Sequence, residues 1–370
     1  MQRKDFLKVA ALGGVGIGLG TGCTTNESSA IEAPTILSNK KYKWKMVTTW
    51  PPNFPVVGTG ATKFAEWVNQ MSGGRIEIKV YGGGTLVPAL EVFDAVSSGA
   101  SEMGSGASYY WGGKEPSLQF FTTVPFGMNA QQMNSWLYSG GGLELYKKQF
   151  AKFNIIPFPG GNTGVQMAGW FNKEINSIDD FKGLKMRIPG LGGKVLEKVG
   201  GTPVLSPGSE LYTNLERGVI DATEWIGPYH DYLMGFHEIA KYYYAPGWHE
   251  PGSNLEIIIN KRLYDSLPID LQEIINAASY RLNIWALSEF EAKNNEYLQK
   301  ILNESDVELK FLSPDVLNSL RKASQETLET LADKNKETRI VYDAYRKFHK
   351  DISEWTKLSE RAYHKMMSSE

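Results

Sequence analysis

The sequence predicts an α/β protein with a sheet rich in parallel strands. Residues 42–49 and 75–81 alternate apolar and polar side chains, which is the pattern of strands with one buried face. Residues 60–71 and 87–98 instead repeat apolar side chains every three or four positions, as an amphipathic helix does. This alternation of strands and helices indicates βαβ units, and 370 residues are enough for two such domains.

Prolines and glycines mark the ends of the first predicted elements. Pro51 and Pro52 stop the first strand, because proline has no N–H to contribute to a sheet. Gly99 ends the second helix, since glycine readily adopts the left-handed conformation found just after a helix. The same signals predict a helix over 190–199 and place the end of the next helix at Gly218.

The second half of the chain contains a long predicted helix. Residues 268–303 keep a continuous apolar face over about 50 Å, at 1.5 Å per residue. Ser313 and Pro314 then provide the cap and the first position of a further helix. Residues 338–367 repeat apolar side chains at a spacing close to a heptad, which predicts one last helix.

The N-terminus predicts export. Residues 1–23 combine a basic start with a short apolar, glycine-rich run and end at Cys23, the one cysteine of the chain. A lipid on Cys23 would anchor the protein, whereas a soluble export signal that ends in cysteine would not. Residues 24–41 are polar and predict a flexible tether. The export segment predicts a periplasmic or extracytoplasmic protein. The formal net charge of −2 provides no basic field for nucleic acid.

One arginine stands at the end of a predicted strand. Apolar and polar residues alternate up to Arg187, and a Pro-Gly turn follows at residues 189–190. Ligands of α/β domains bind where strands end, and a guanidinium holds a carboxylate through two parallel hydrogen bonds. Gln166 and Glu224 lie near the ends of two further predicted strands, so the three side chains are able to converge on a small anion. A surface arginine that closes a strand would give the same local pattern.

Longer stretches around these residues carry a family resemblance. They are residues 184–190 (LKMRIPG), 200–225 (GGTPVLSPGSELYTNLERGVIDATEW) and 73–104, within a resemblance that runs from about Trp44 to Leu302. The sequence resembles the DctP-type solute-binding proteins of tripartite ATP-independent periplasmic (TRAP) transporters, which are extracytoplasmic receptors for small organic acids. It is similar to the branch that binds 2-oxo acids and other monocarboxylates, such as pyruvate or lactate, with a metal ion.

The resemblance implies a carboxylate site with a bridging ion. Arg187 would pair with the carboxylate of the ligand. The amide oxygen of Gln166, the carboxylate of Glu224 and the main-chain carbonyl of Trp225 would hold a hard cation, sodium or calcium. Glu250 is a further candidate ligand of the ion. The other predicted contacts of the acid are Gln166, Asn162, Tyr109, Tyr110, Trp225, Tyr229 and His249.

Several of these residues also have a plainer interpretation. Tyr109 and Tyr110 lie in a predicted loop, where aromatic residues either anchor the core or form the walls of a pocket. Gln166 alone would be a hydrogen-bonding residue at a strand end, and Glu224 alone a surface carboxylate. Their spacing around Arg187 favours the binding site.

The resemblance also implies the architecture and the partners. It predicts a two-lobed periplasmic-binding-protein fold with the long helix spanning both lobes. Separate membrane permease subunits would receive the ligand. The predicted parts are lobe I (42–164 and 253–290), lobe II (165–252 and 291–312) and extra C-terminal helices (313–370).

The last predicted helix suggests a homodimer. Its apolar stripe includes Tyr345, Phe348 and Trp355, and such a stripe on a monomer would be an exposed patch typical of an interface. The branch that the sequence resembles has members that exchange such a helix between subunits. We therefore expect the helix after Thr338 to pack on a partner, although a helix folded back on its own subunit would show the same pattern.

An enzyme is the alternative of a different class. The sequence contains no G-x-S-x-G nucleophile motif and no H-E-x-x-H zinc motif, and no two of its five histidines are four residues apart. A secreted enzyme or sensor on the same fold stays open, because a fold does not fix a function. The motifs favour a receptor without catalytic residues.

Overall fold

The structure is a computed structural model that describes residues 40–368. The predicted export signal, Cys23 and all but the last residues of the tether lie outside this range. Between residues 40 and 368, no helix is both long enough and apolar enough to cross a membrane. The described chain folds into two sheets surrounded by helices, so the α/β prediction is confirmed.

Eleven strands form the two sheets of the described chain. They are β1 (Tyr42–Thr48), β2 (Ile76–Tyr81), β3 (Met103–Gly106), β4 (Ile155–Asn162), β5 (Gly169–Phe171), β6 (Lys185–Arg187), β7 (Thr202–Val204), β8 (Ala222–Thr223), β9 (Tyr242–Ala245), β10 (Asn254–Asn260) and β11 (Glu308–Phe311). The first sheet has the order β2-β1-β3-β10-β4, and the second β11-β9-β5-β8-β6-β7. Strands β1, β2 and β3 are parallel, as predicted, while β10 runs antiparallel to both of its neighbours.

Thirteen α-helices cover these sheets within the described range. They are α1 (Val57–Met71), α2 (Val92–Ser98), α3 (Ala130–Ser139), α4 (Gly142–Ala151), α5 (Gly190–Lys198), α6 (Leu211–Glu216), α7 (Pro228–Leu233), α8 (Phe236–Ile239), α9 (Lys261–Asp265), α10 (Ile269–Glu304), α11 (Pro314–Ala332), α12 (Lys336–Leu358) and α13 (Glu360–Met367). Helix α2 begins later than predicted, after a turn that contains Pro88, because proline disfavours a helix interior. Short 3₁₀ turns fill several connections, including 108–111, which the sequence predicted as a loop.

Both faces of the first sheet are buried, as its strand sequences require. In β10, Ile257 and Ile259 pack with α1 and the first half of α10, whereas Ile258 faces the opposite core with α2 and α12. The second sheet alternates in the same way. Tyr243 packs with Trp170 in one core, and Tyr244 packs with Phe171 in the other. Each sheet with its helices therefore forms one lobe, which confirms the two-lobed fold.

Helix α10 joins the two lobes. It has 36 residues and is therefore about 54 Å long. Its first half buries Ile275 and Leu282 against the first sheet, and its second half buries Phe290 and Ile301 with residues of the second. The chain crosses between the sheets at two further places, residues 163–168 after β4 and 246–253 before β10. These two crossing segments carry several of the predicted site residues.

The C-terminal helices correct part of the sequence interpretation. Tyr345 is 2% exposed and lies in the core of its own chain, and Phe348 packs against the same core. The amphipathic stripe predicted an interface here because the pattern is the same whether a helix packs on its own subunit or on another. The predicted single helix is also interrupted at Ser359, whose φ of −101° and ψ of −102° are not helical. Trp355, Leu358 and the apolar residues of α13 stay exposed.

The Tyr345 hydroxyl provides a test of this intramolecular packing. It accepts a 2.8 Å hydrogen bond from the buried N–H of Met128 in the first lobe. Tyr345→Phe should lower the free energy of unfolding by about 1–3 kcal/mol, because that N–H would stay buried without an acceptor. Urea unfolding monitored by circular dichroism measures the change. The control Tyr363→Phe, on the exposed helix α13, should have little effect. Equal stability of Tyr345→Phe and the wild type would contradict this arrangement.

Candidate ligand and metal site

Arg187 is the last residue of β6 and is buried, with 1% exposure. Its Nε donates to the carbonyl of Ser206 over 3.3 Å, and Nη2 reaches the Tyr110 hydroxyl over 3.4 Å. The indole of Trp225 lies against the guanidinium, 5.4 Å from its central carbon. These contacts hold the guanidinium in one orientation inside the protein. The guanidinium lies at the boundary between the lobes, where β6 ends.

Glu224 is the main partner of Arg187. It follows β8, which pairs in parallel with β6, so the two strands end side by side. Arg187 Nη1 donates to Glu224 Oε1 in a short ion pair and to the main-chain carbonyl of Glu224 over 3.3 Å. The other carboxylate oxygen, Oε2, is buried and lacks a hydrogen-bond partner among residues 40–368.

Gln166 is fixed against the crossing segment that contains Glu250. Its N–H donates to the carbonyl of Glu250 over 3.1 Å, and its carbonyl accepts from the N–H of Gly247 over 2.8 Å. The side-chain Nε2 donates to Glu250 Oε2 over 2.8 Å and to the Thr163 hydroxyl over 3.1 Å. The amide oxygen Oε1 is consequently left buried without a partner in the described chain.

Glu224, His249 and Glu250 form a buried cluster. One oxygen or nitrogen from each of these side chains lies within 4.8 Å of the others. His249 Nε2 is 3.5 Å from Glu224 Oε2, and its two ring nitrogens have no hydrogen-bond partner in the part of the chain that the structure describes. The cluster brings together Glu224, which follows β8, and two residues of the 246–253 segment.

The free oxygens suit a hard cation. Sodium and calcium prefer carboxylate, amide and carbonyl oxygens. Glu224 Oε2 and Gln166 Oε1 are two such oxygens, both buried and unpartnered in the described structure, and the Glu250 carboxylate lies in the same cluster. His249 offers nitrogen, which hard cations use less, so it is better suited to contact an organic ligand.

The charges of the cluster lead to the same conclusion. Burial, and next to it the negative charge of Glu224, raise the pKa of the Glu250 carboxyl well above its usual range. With both carboxylates ionised, Glu224 and Glu250 outnumber the positive charge of Arg187. An anionic ligand would add to this excess, and a cation bound among the oxygens would offset it.

Aromatic residues form one side of the site. The rings of Tyr109 and Tyr110 are 4.6 Å apart and face the Arg187 strand. Burial raises the pKa of both phenols, and for Tyr109 the Glu250 carboxylate adds to this, so both hydroxyls stay protonated and able to donate to an anion. Trp225 packs edge-on against Trp50 and Phe54, which sequence reasoning did not identify.

Two other predicted contacts have different surroundings. Asn162 is buried at the end of β4, where Oδ1 accepts from the N–H of Gly164 and Nδ2 is unpartnered in the described chain. The ring of Tyr229 instead lies against that of Tyr297 in α10, with centroids 4.7 Å apart and planes tilted by 47°, and none of its described ring contacts reaches the Arg187 cluster.

Sequence reasoning also missed Thr163 and Ser253. The hydroxyl of Ser253 donates to Glu250 Oε2, and that of Thr163 accepts from Gln166. Together they orient the amide and the carboxylate of the cluster. Their closeness in sequence to Gln166 and Glu250 could have identified them, since polar residues flanking a buried carboxylate commonly supply its hydrogen bonds.

Comparison with known proteins identifies the family. Residues 46–335 match the DctP family, described as bacterial extracellular solute-binding protein, family 7. The chain belongs to this family. Its members are solute-binding proteins outside the cytoplasm.

Individual relatives match most or all of the chain. The chain is 41% identical to a monocarboxylate 2-oxoacid-binding periplasmic protein of Nostoc sp., over 100% of both chains. A TRAP periplasmic solute-binding protein from Pseudoalteromonas atlantica T6c, solved with sodium and pyruvate, is 45% identical, with a TM-score of 0.86 over 88% of this chain and 99% of that one. Another from Colwellia psychrerythraea, solved with calcium and pyruvate, is 46% identical, with the same TM-score and the same coverage.

The close packing of Gly247 on Gln166 gives a test of this site. A Cβ at position 247 would lie 2.3 Å from the carbonyl oxygen of Gln166. Gly247→Ala should displace the crossing segment that contains Gln166 and lower the free energy of unfolding by about 1–3 kcal/mol, as overpacking does. The control is Gly113→Ala, where a Cβ meets no atom within 4 Å. Thermal unfolding would disprove the packing if the two variants melted at the same temperature.

Proposed function

We propose that this protein is the solute receptor of a TRAP transporter and binds a small 2-oxo monocarboxylate, such as pyruvate, together with sodium or calcium. It then delivers the acid to membrane permease subunits. The observation that carries the proposal is a buried arginine next to two buried, unpartnered oxygens, those of Glu224 and Gln166. The relatives that bind 2-oxo acids, or pyruvate with either ion, support it.

Arg187 would bind the carboxylate of the ligand. Its Nη2 already points to the Tyr110 hydroxyl, so a carboxylate placed there would meet a cation and a phenolic donor. Among the site residues described above, Arg187 is the one permanent cation, which favours an acid with one carboxylate. The aromatic side formed by Tyr109, Tyr110 and Trp225 would exclude water around it.

The ion would be held by Glu224, Gln166 and the carbonyl of Trp225, with Glu250 as a further oxygen ligand. A bound cation supplies positive charge that offsets the carboxylates and attracts the oxygens of a 2-oxo acid. Thr163 and Ser253 keep the Gln166 amide and the Glu250 carboxylate in their orientations. His249 would donate to the acid. A secreted enzyme is not favoured, since the family consists of solute-binding proteins.

Arg187→Ala should abolish binding of pyruvate, and Arg187→Lys should weaken it strongly because lysine lacks the paired donors. The loss expected for a buried charge-assisted contact is about 2–5 kcal/mol, or roughly thirtyfold to several thousandfold in affinity. Isothermal titration calorimetry in calcium buffer measures it, with Arg217→Ala as the exposed control. Circular dichroism verifies that each variant is folded. A folded Arg187→Lys protein with wild-type affinity would refute the assignment.

Ion and acid should bind cooperatively. Removing calcium with a chelator, in buffer free of sodium, should lower the affinity for pyruvate, and pyruvate should raise the affinity for calcium by the same factor. Gln166→Ala should weaken both, whereas the exposed control Gln131→Ala should weaken neither. Calorimetric titrations in both orders provide the comparison. An affinity for pyruvate that does not depend on the ion would rule out an ion-bridged site and leave Arg187 as a simple carboxylate clamp.

We further propose that the protein is a homodimer in which the exposed C-terminal face packs on a second copy. Trp355, Leu358 and Met366 are 66%, 78% and 60% exposed on the last two helices. Such an apolar patch on a soluble protein usually marks an interface. Anchoring through Cys23 stays a prediction of the sequence, because that residue lies outside the described range.

Leu358→Glu combined with Met366→Glu should convert this dimer into a monomer, because charges would be buried at the interface. Light scattering of the full chain at micromolar concentration measures the mass of each protein. The control is Val219→Glu, which changes an equally exposed apolar residue elsewhere. A monomeric wild type, or a double variant that stays dimeric, would show that this face is not the interface.

A further inference from the structure

Phe126 has an unusual backbone conformation. Its φ is 57°, in the left-handed region that costs a bulky side chain steric strain. Residues held in such conformations persist where the surrounding structure fixes them, and they cluster at functional sites. Two of the other non-glycine residues with positive φ in the described chain are asparagines, which tolerate it more easily. All four are Asn53, Val56, Phe126 and Asn154.

The contacts of Phe126 lead directly to the ligand-binding segment. Its N–H donates to the carbonyl of Trp248 over 2.8 Å. Its ring packs on the Trp248 indole with centroids 5.9 Å apart and planes 30° apart. The guanidinium of Arg321, from α11, lies 4.8 Å from the centre of the same ring. Phe126 is therefore held between α11 and Trp248.

Trp248 is in turn connected to the cluster through the main chain. It immediately precedes His249 and Glu250, whose side chains belong to the buried group with Glu224. The same segment is tied to Gln166 by two main-chain hydrogen bonds. The segment thus has Gln166 on one side and Phe126 on the other. A shift of the Trp248 carbonyl would move both His249 and Glu250.

We propose that Phe126 is a positioning residue for the ion and acid site, acting through Trp248. The inference rests on the proposed function for the identity of the ligand. The left-handed backbone aims the N–H of Phe126 at the Trp248 carbonyl, and the ring, backed by Arg321, holds the indole. Phe126 touches neither ion nor acid in this role. It fixes where the Glu250 carboxylate and the His249 ring lie.

Phe126→Ala tests the proposal, with Asn154→Ala as the matched control. Asn154 has the same φ of 57° and lies at the far end of the first lobe, between α4 and β4. Phe126→Ala should weaken binding of calcium and of pyruvate by about tenfold to a hundredfold, as loss of a residue supporting metal ligands does. Phe126→Tyr keeps the aromatic ring, and Phe126 lines a cavity of about 230 Å³ that leaves room for the added hydroxyl. This variant should bind calcium and pyruvate as the wild type does.

Hydrogen exchange followed by mass spectrometry supplies a readout without ligand. Phe126→Ala should speed exchange in residues 246–250 of the ligand-free protein, and Asn154→Ala should leave it unchanged. If Asn154→Ala weakens binding as much, or if Phe126→Ala leaves both binding and exchange unchanged, the proposal is wrong. A wild type that fails to bind pyruvate would overturn the proposed ligand, whereas the exchange data would still decide the role of Phe126.

Discussion

The buried ion pair between Arg187 and Glu224 is the interaction on which the site depends. Each charge is about 1% exposed, and a buried charge is tolerated only when it is paired and hydrogen-bonded. Removing one partner of such a pair typically costs about 3–5 kcal/mol, because the other is left uncompensated. The pair uses one oxygen of Glu224 and leaves the second without a hydrogen bond among residues 40–368. The contact that pairs the charge of Arg187 thus leaves the second Glu224 oxygen available to bind a cation.

The topology explains why these groups meet. Arg187 and Glu224 end two adjacent parallel strands of the second sheet, so their side chains reach the boundary between the lobes together. Gln166 and Glu250 lie on the two segments that cross between the sheets and are hydrogen-bonded to each other. Helix α10 packs on both lobes and so connects them. A ligand held at this boundary would contact both lobes, which is how a receptor can couple binding to closure.

The sequence predicts the parts of this arrangement that depend on local pattern. The sequence predicts Gln166, Arg187 and Glu224 near strand ends. In the structure Arg187 pairs with Glu224, while Gln166 lies in a crossing segment and reaches the same cluster through Glu250. Thr163 and Ser253 escaped notice because a short hydroxyl residue three positions from Gln166 or Glu250 has many possible partners, and the sequence does not show which of them it contacts. The environment of Tyr345 was mispredicted because an apolar stripe does not specify whether it packs on its own chain. Phe126 gave no signal, since backbone strain in a phenylalanine has no sequence signature.

A crystal structure of the protein grown with calcium and pyruvate tests the central claim most directly. Anomalous scattering would locate the ion independently of the model used for refinement. The account predicts calcium at about 2.3–2.6 Å from the oxygens of Gln166 and Glu224, with the pyruvate carboxylate on Arg187. An ion bound away from Glu224, or pyruvate bound without a contact to Arg187, would contradict it.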